Sequence, residues 1–182
     1  MNTKNLLLWA SLALAMPMTA QTPQEDFKRD ITLSGSNYVA YRGPQKQLTP
    51  APKGYKPFYL SHYGRHGSRF MIGNKAYDVP YFSLLKAKQE GKLTAKGEET
   101  LAKVKMIREE AKGRDGELTP LGALQHQGIT KRMMERFPEI FAGNTNIEAR
   151  STLVIRCILS MENGLQQMLR MNPKLHIFHD AS

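Results

Sequence analysis

Between Val154 and Met168 the apolar residues Val154, Ile158, Met161, Leu165 and Met168 recur at spacings of four, three, four and three. That is the period of one face of an α-helix. The helix is predicted to stop at Asn172-Pro173, because proline restricts the residue before it to extended conformations. Short apolar stretches flank it and read as strands, Asn146–Ala149 before and Lys174–Phe178 after, with a further strand expected at Tyr55–Leu60. Two more helices are predicted over Val79–Glu90 and Ala95–Lys112. The second carries Leu101, Val104 and Ile107 on one side and dense Lys and Glu elsewhere, as a surface helix does. Leu93-Thr94-Ala95-Lys96-Gly97 and Leu118-Thr119-Pro120-Leu121-Gly122 repeat one pattern, each opening a helix: Thr is a good N-cap and Pro120 suits the first turn. From Gln21 to Lys56 helical period is weak and Gly, Pro and Ser are frequent, so an irregular lead-in is expected, with a short strand at Tyr38–Tyr41. Strands alternating with helices predict an α/β fold, a central sheet flanked by helices.

The first residues have a different pattern. Lys4 precedes a largely apolar run from Leu6 to Met16 that ends before Pro17. Residues 1–20 read as a secretory signal, with cleavage after Ala20, and predict an exported protein, periplasmic or secreted. Eleven apolar residues are too few for a membrane span of about 20, so no stable span is expected.

Charge narrows the partners. In 182 residues there are 26 Lys and Arg against 16 Asp and Glu, a formal charge of +10, which favours an anionic partner. Nucleic acid is not expected, because the basic residues are neither interleaved with aromatics on one face nor joined to a zinc pattern. The single cysteine, Cys157, excludes an intramolecular disulfide and reads as a small buried hydrophobe. His62 and His66 are four apart, but the glycines around them argue against a shared helix face, and no carboxylate or cysteine cluster completes a metal site. No cofactor is implied.

The candidate chemistry is concentrated in Ser61-His62-Tyr63-Gly64-Arg65-His66-Gly67-Ser68-Arg69. If Tyr55–Leu60 is a strand, this loop sits at its carboxyl end, where open α/β sheets place their ligands. Gly64 and Gly67 allow close backbone approach. Arg65 and Arg69 each offer a planar fork of donors to phosphate oxygens. His66 between them is a candidate nucleophile, since neutral imidazole can attack phosphorus. Arg150 is expected at a strand-to-helix junction, where free backbone amides and the helix dipole favour an anion; a structural salt bridge is the alternative.

Arg65-His66-Gly67-Ser68-Arg69 resembles the RHGxR motif of the histidine acid phosphatases. That family pattern continues to a proline two residues after the second arginine; Met71 stands there, as in the subgroup of multiple inositol polyphosphate phosphatases, which it resembles. Leu118 to Gln125, followed by His126, is similar to the family's LTxxGxxQ segment. Residues 149–161 resemble the ARSTxxxRCxxSM segment of the same subgroup. The resemblance implies a phosphomonoesterase acting on phosphate esters, inositol polyphosphates foremost, through a phosphohistidine on His66. Arg65, Arg69 and Arg150 would bind the phosphate, while Arg156 is left as structural. It also implies that residues 21–182 are the N-terminal part of a histidine phosphatase domain, truncated after residue 182, with a helical insertion at about residues 72–117. The family's proton donor lies far along its chain, so His179-Asp180 is not assigned to it. An anion-binding fragment without turnover is the alternative function.

Overall fold

The computed structural model describes residues 22–41, 43, 46, 47 and 49–182. The proposed signal at residues 1–20 lies outside the described residues. The chain divides into two compact units, one ending at Ala40 and one running from Tyr41 to Ser182.

In the first unit, helix α1 (Pro23–Arg29) is followed by a 3-10 helix (Ile31–Tyr38). This corrects the expected irregular lead-in over residues 23–38 and its strand at Tyr38–Tyr41, while the described residues from 39 to 56 are irregular as expected. The cause is local. The Thr22 hydroxyl accepts the Glu25 N–H at 3.4 Å and the Glu25 carboxylate accepts the Thr22 N–H at 3.0 Å, a capping box closed by Pro23 at the first helical position. Asp30 then accepts the Thr32 amide at 2.9 Å and its hydroxyl at 2.6 Å, where the tighter helix begins.

The second unit contains helices α2 (Lys75–Gln89), α3 (Ala95–Glu110) and α4 (Pro120–Arg136), strand β1 (Asn146–Ser151), helix α5 (Ile155–Met171) and strand β2 (His176–Ala181). β1 and β2 pair in parallel from Asn146 opposite His176 to Ser151 opposite Ala181, with α5 as the crossover. Both strands run further toward the C-terminus than their apolar stretches suggest. At β2 the cause is the turn before it, where Asn172 Oδ1 accepts the Lys174 N–H at 3.1 Å and Leu175 is committed to the core. Ile147, Ala149 and Ser151 are half-buried while Asn146, Glu148 and Arg150 are exposed, the two-residue alternation of a sheet with one covered face.

Met134, Phe141 and Leu175 form the buried core, joined by Leu60, Met168, Ile147 and Ile177. α4 and α5 lie close enough that a Cβ on Gly164 would sit 3.0 Å from Thr130 Oγ1, and Gln127 Nε2 donates to Asn163 Oδ1 at 3.0 Å. The expected strand Tyr55–Leu60 has no ladder partner among the described residues and is not a strand. Leu60 reaches the core, but Phe58 is 95% exposed.

α2 and α3 form a helical pair inserted between the Arg-rich loop and α4. The insertion is closed at its neck by an antiparallel bridge between Arg69 and Leu118, with the Phe70 N–H on the Glu117 carbonyl at 2.9 Å and the Gly116 N–H on the Met71 carbonyl at 3.0 Å. α2 starts a turn before the expected Val79, because the Asn74 carbonyl accepts the Tyr77 and Asp78 amides. Pro80 is inside it, near the start, where one missing N–H leaves a single carbonyl without its helical partner. Arg108 of α3 donates to Asp78 of α2 at 2.7 Å and lies over the rings of Tyr81 and Phe82. Leu101 is buried as expected, whereas Ile107 is exposed. Thr94 and Thr119 both act as N-caps, accepting the Gly97 and Gly122 amides at 3.2 and 3.1 Å.

Candidate active site

The loop from Arg65 to Met71 has almost no secondary structure of its own and takes its shape from the elements around it. The Thr119 N–H and hydroxyl both donate to the Ser68 carbonyl at 2.9 Å. The Ser68 N–H donates to Gln125 Oε1 at 2.8 Å, and the Gly67 N–H to the buried Ser160 hydroxyl at 3.0 Å. The Ser160 hydroxyl in turn donates a hydrogen bond to the Arg156 carbonyl at 2.7 Å. The Met71 N–H donates to the Tyr77 hydroxyl at 2.7 Å. The N-terminal half of α4, the first turns of α5 and the start of α2 therefore grip successive peptides of one loop.

Such contact requires glycine. A Cβ on Gly67 would lie 2.6 Å from the Gly122 Cα, and one on Gly122 would lie 2.9 Å from the Ser68 nitrogen. Gly122 is the glycine of the segment Leu118–Gln125, so the two motifs picked out in the sequence are in direct backbone contact.

Within this frame the His66 Nδ1 lies 2.8 Å from the Gly67 carbonyl oxygen. A carbonyl only accepts, so in this hydrogen bond Nδ1 carries the proton; in the neutral ring Nε2 then keeps a free lone pair. His126 lies with its Nε2 3.1 Å from the Arg65 carbonyl. Burial pushes the His126 imidazole below its ordinary value, the Arg65 carbonyl opposes that shift, and His62 and His66 nearby add to the lowering.

The cations are placed unequally. Arg65 is exposed and Arg69 half-buried, with Arg69 Nη1 donating to the Phe70 carbonyl at 2.8 Å. Arg150 is the penultimate residue of β1, on its exposed face, and precedes α5 as expected, although the helix itself begins only at Ile155. Among the described residues the Arg150 side chain has no hydrogen bond or ion pair; its in-register neighbour is Asp180. Arg156, read as structural, instead reaches the neck of the insertion, with Nη1 3.2 Å from the position of a Gly116 Cβ. Among the described residues three buried side-chain nitrogens lack a protein partner, Arg69 Nε, Gln125 Nε2 and Arg156 Nε, and all belong to residues of this loop or of the segments holding it.

Ser160, Gln125 and His126 were not assigned roles from the sequence. Gln125 and Ser160 stand inside the motif segments quoted above; only the backbone groups they meet, far away in sequence, give them a purpose. His179 Nδ1 contacts Glu162 Oε1 at 2.5 Å, joining β2 to α5. Cys157 is free and half-buried. A concavity of about 550 Å³ lined by Tyr55, Lys56, Pro57 and Arg136 includes no loop residue, and it holds none of the nucleophile chemistry.

The mixed fold of helices and a small parallel sheet is similar to part of the fold of a phosphatase. Two solved structures of the Bifidobacterium longum multiple inositol polyphosphate phosphatase are similar to this chain. The complex with inositol hexasulfate aligns with a TM-score of 0.54 and 26% identity, covering 74% of this chain, and the apo form with 0.51 and 25%. The chain spans 29% of the length of that phosphatase. No family model and no curated protein sequence matches it.

Proposed function

We propose that this chain carries the nucleophilic half of a phosphomonoesterase that works through a phosphohistidine, with inositol polyphosphates as the substrate class. The observation that carries the reading is the His66 Nδ1–Gly67 carbonyl hydrogen bond at 2.8 Å, which leaves Nε2 as the nucleophilic nitrogen on a glycine-rich loop between two arginines. The Nε2 lone pair attacks phosphorus in line, the P–O ester bond breaks, and a general acid protonates the departing oxygen. Water then attacks phosphorus, the P–N bond breaks, and His66 returns to its neutral form with release of phosphate.

Arg65, Arg69 and Arg150 hold the phosphoryl oxygens and offset the charge that builds in the transition state, a preorganised contribution worth roughly 10²–10³ in rate per donor in comparable sites. Arg156 belongs with them. Its Nε and that of Arg69 are buried without protein partners, and neither residue forms an ion pair among the described residues, an arrangement that an anion completes. The inositol hexasulfate bound by the similar phosphatase is a polyanion, and the charge of +10 suits the same class of ligand. Export through the signal at residues 1–20 is part of the proposal. Alkaline quenching of a reaction with ³²P-labelled inositol phosphate, which spares the acid-labile P–N bond, should leave label on the peptide containing His66. His66→Ala should abolish turnover and labelling while still binding phosphate. Label on another residue, with activity retained in His66→Ala, would overturn the assignment.

A second reading, anion binding without turnover, is favoured by one observation: among the described residues the arginines that would bind phosphate are present and none stands out as the general acid. Phosphate release from an inositol polyphosphate separates the two.

A further inference from the structure

We propose that His126 is a positioning residue for the His66 nucleophile: its Nε2–H holds the Arg65 carbonyl and fixes the peptide unit that carries His66. The inference rests on the phosphohistidine reading.

The Arg65 carbonyl can only accept a hydrogen bond, so the contact at 3.1 Å defines His126 as the Nε2–H donor. The Arg65 carbonyl and the His66 amide belong to one planar unit. Fixing one end of that unit sets the rotation of the other, and with it the direction in which the His66 Cβ leaves the chain. The next residue of α4 toward the N-terminus, Gln125, accepts the Ser68 N–H at 2.8 Å. Two consecutive α4 side chains therefore bracket His66, one holding the peptide before it and one the amide two residues after it. The His66 ring is in turn oriented by the Gly67 carbonyl. Rotation of the Arg65–His66 peptide would move the nucleophile and the Arg65 guanidinium together. His126 is also suited to the task as a neutral donor. It stands half-buried among His62, His66 and Arg65, where a lysine or arginine would add a charge that the site must then accommodate.

The test uses the full chain and two replacements of similar size. His126→Gln keeps an N–H near the Nε2 position; His126→Met fills the same space without a donor. Inorganic phosphate affinity, measured by isothermal titration, should fall roughly tenfold in His126→Met and stay within about threefold of wild type in His126→Gln, the scale of one buried hydrogen bond. Equal affinities in all three proteins would overturn the proposal. The second arm needs no variant: long-range ¹H–¹⁵N spectra of the wild-type chain should show His126 protonated at Nε2 and bare at Nδ1 at neutral pH. The opposite tautomer would overturn the proposal even if phosphate binds. Failure of the wild-type chain to bind inorganic phosphate, with the tautomer as expected, would instead remove the phosphate-site reading, and the positioning role with it.

Discussion

Gly67 and Gly122 meet backbone to backbone: a methyl group on Gly67 would lie 2.6 Å from the Gly122 Cα, and its carbonyl oxygen would be closer still. Neither side can yield by turning a side chain, because both contacts are main chain. Gly67→Ala and Gly122→Ala should each destabilise the chain by about 1–3 kcal/mol, the usual cost of forcing extra volume into a packed contact. The double variant should lose less than the sum, since one displacement of the loop from α4 relieves both clashes. Thermal melts of the three proteins measure this; strict additivity would show that the two glycines are not in one contact.

Ser160 is 2% exposed and is the acceptor for the Gly67 N–H. Ser160→Ala removes that acceptor and leaves a buried amide unpaired, at a cost of about 1–3 kcal/mol. Urea unfolding should show the loss. Amide hydrogen exchange should locate it at Gly67, whose protection should fall further than that of the α5 amides.

The two arginines beyond the loop make a sharper comparison. Arg156 has a buried Nε without a partner, while Arg150 lies on the exposed face of β1. Arg156→Ala should therefore weaken inorganic phosphate binding more than Arg150→Ala, by roughly tenfold if Arg156 gives a charge-assisted hydrogen bond. A larger effect at Arg150, measured by titration at fixed ionic strength, would make Arg150 and not Arg156 the stronger phosphate ligand of the two.

His126 gives the chain a pH dependence of definite sign. Its value is lowered in the folded state, chiefly by burial, so the unfolded chain binds the proton more readily. The contribution of neutral His126 to stability is full above an unfolded value of about 6.5 and is lost as pH falls through the lower folded value. Melting temperatures should decline on acidification in that range. The decline should be shallower in His126→Gln, which has nothing to titrate there.

Most of the helices were legible because their signals are local. Thr94, Thr119 and Pro120 mark starts by capping chemistry, and the stripe from Ile158 to Met168 records a face turned toward the core. Thr22-Pro23-Gln24-Glu25 carried an equally clear capping box; weak helical period in the residues after it hid a helix of about two turns. Tyr55–Leu60 shows the opposite failure. Its apolar, aromatic residues suit a strand, but a strand exists only with a neighbour to accept its hydrogen bonds, and none among the described residues does. In the site, Arg65, His66 and Arg69 could be picked out by residue type. Ser160 and His126 could not, because each is defined by a backbone group that only folding brings to it.

The distances in sequence across the loop have a consequence for how the site comes into being. Its clamps to Thr119, Gln125 and Ser160 close separations of 51, 57 and 93 residues. Closing the longest of these costs only about 0.6 kcal/mol more than closing one half its length, so length itself is no obstacle. Order of events is: non-local contacts come slowly, and a loop with scarcely any regular structure cannot rehearse its shape before α4 and α5 dock. A refolding chain should regain helical signal first and affinity for phosphate last, so that ligand binding, followed in stopped flow, times the arrival of the finished native state.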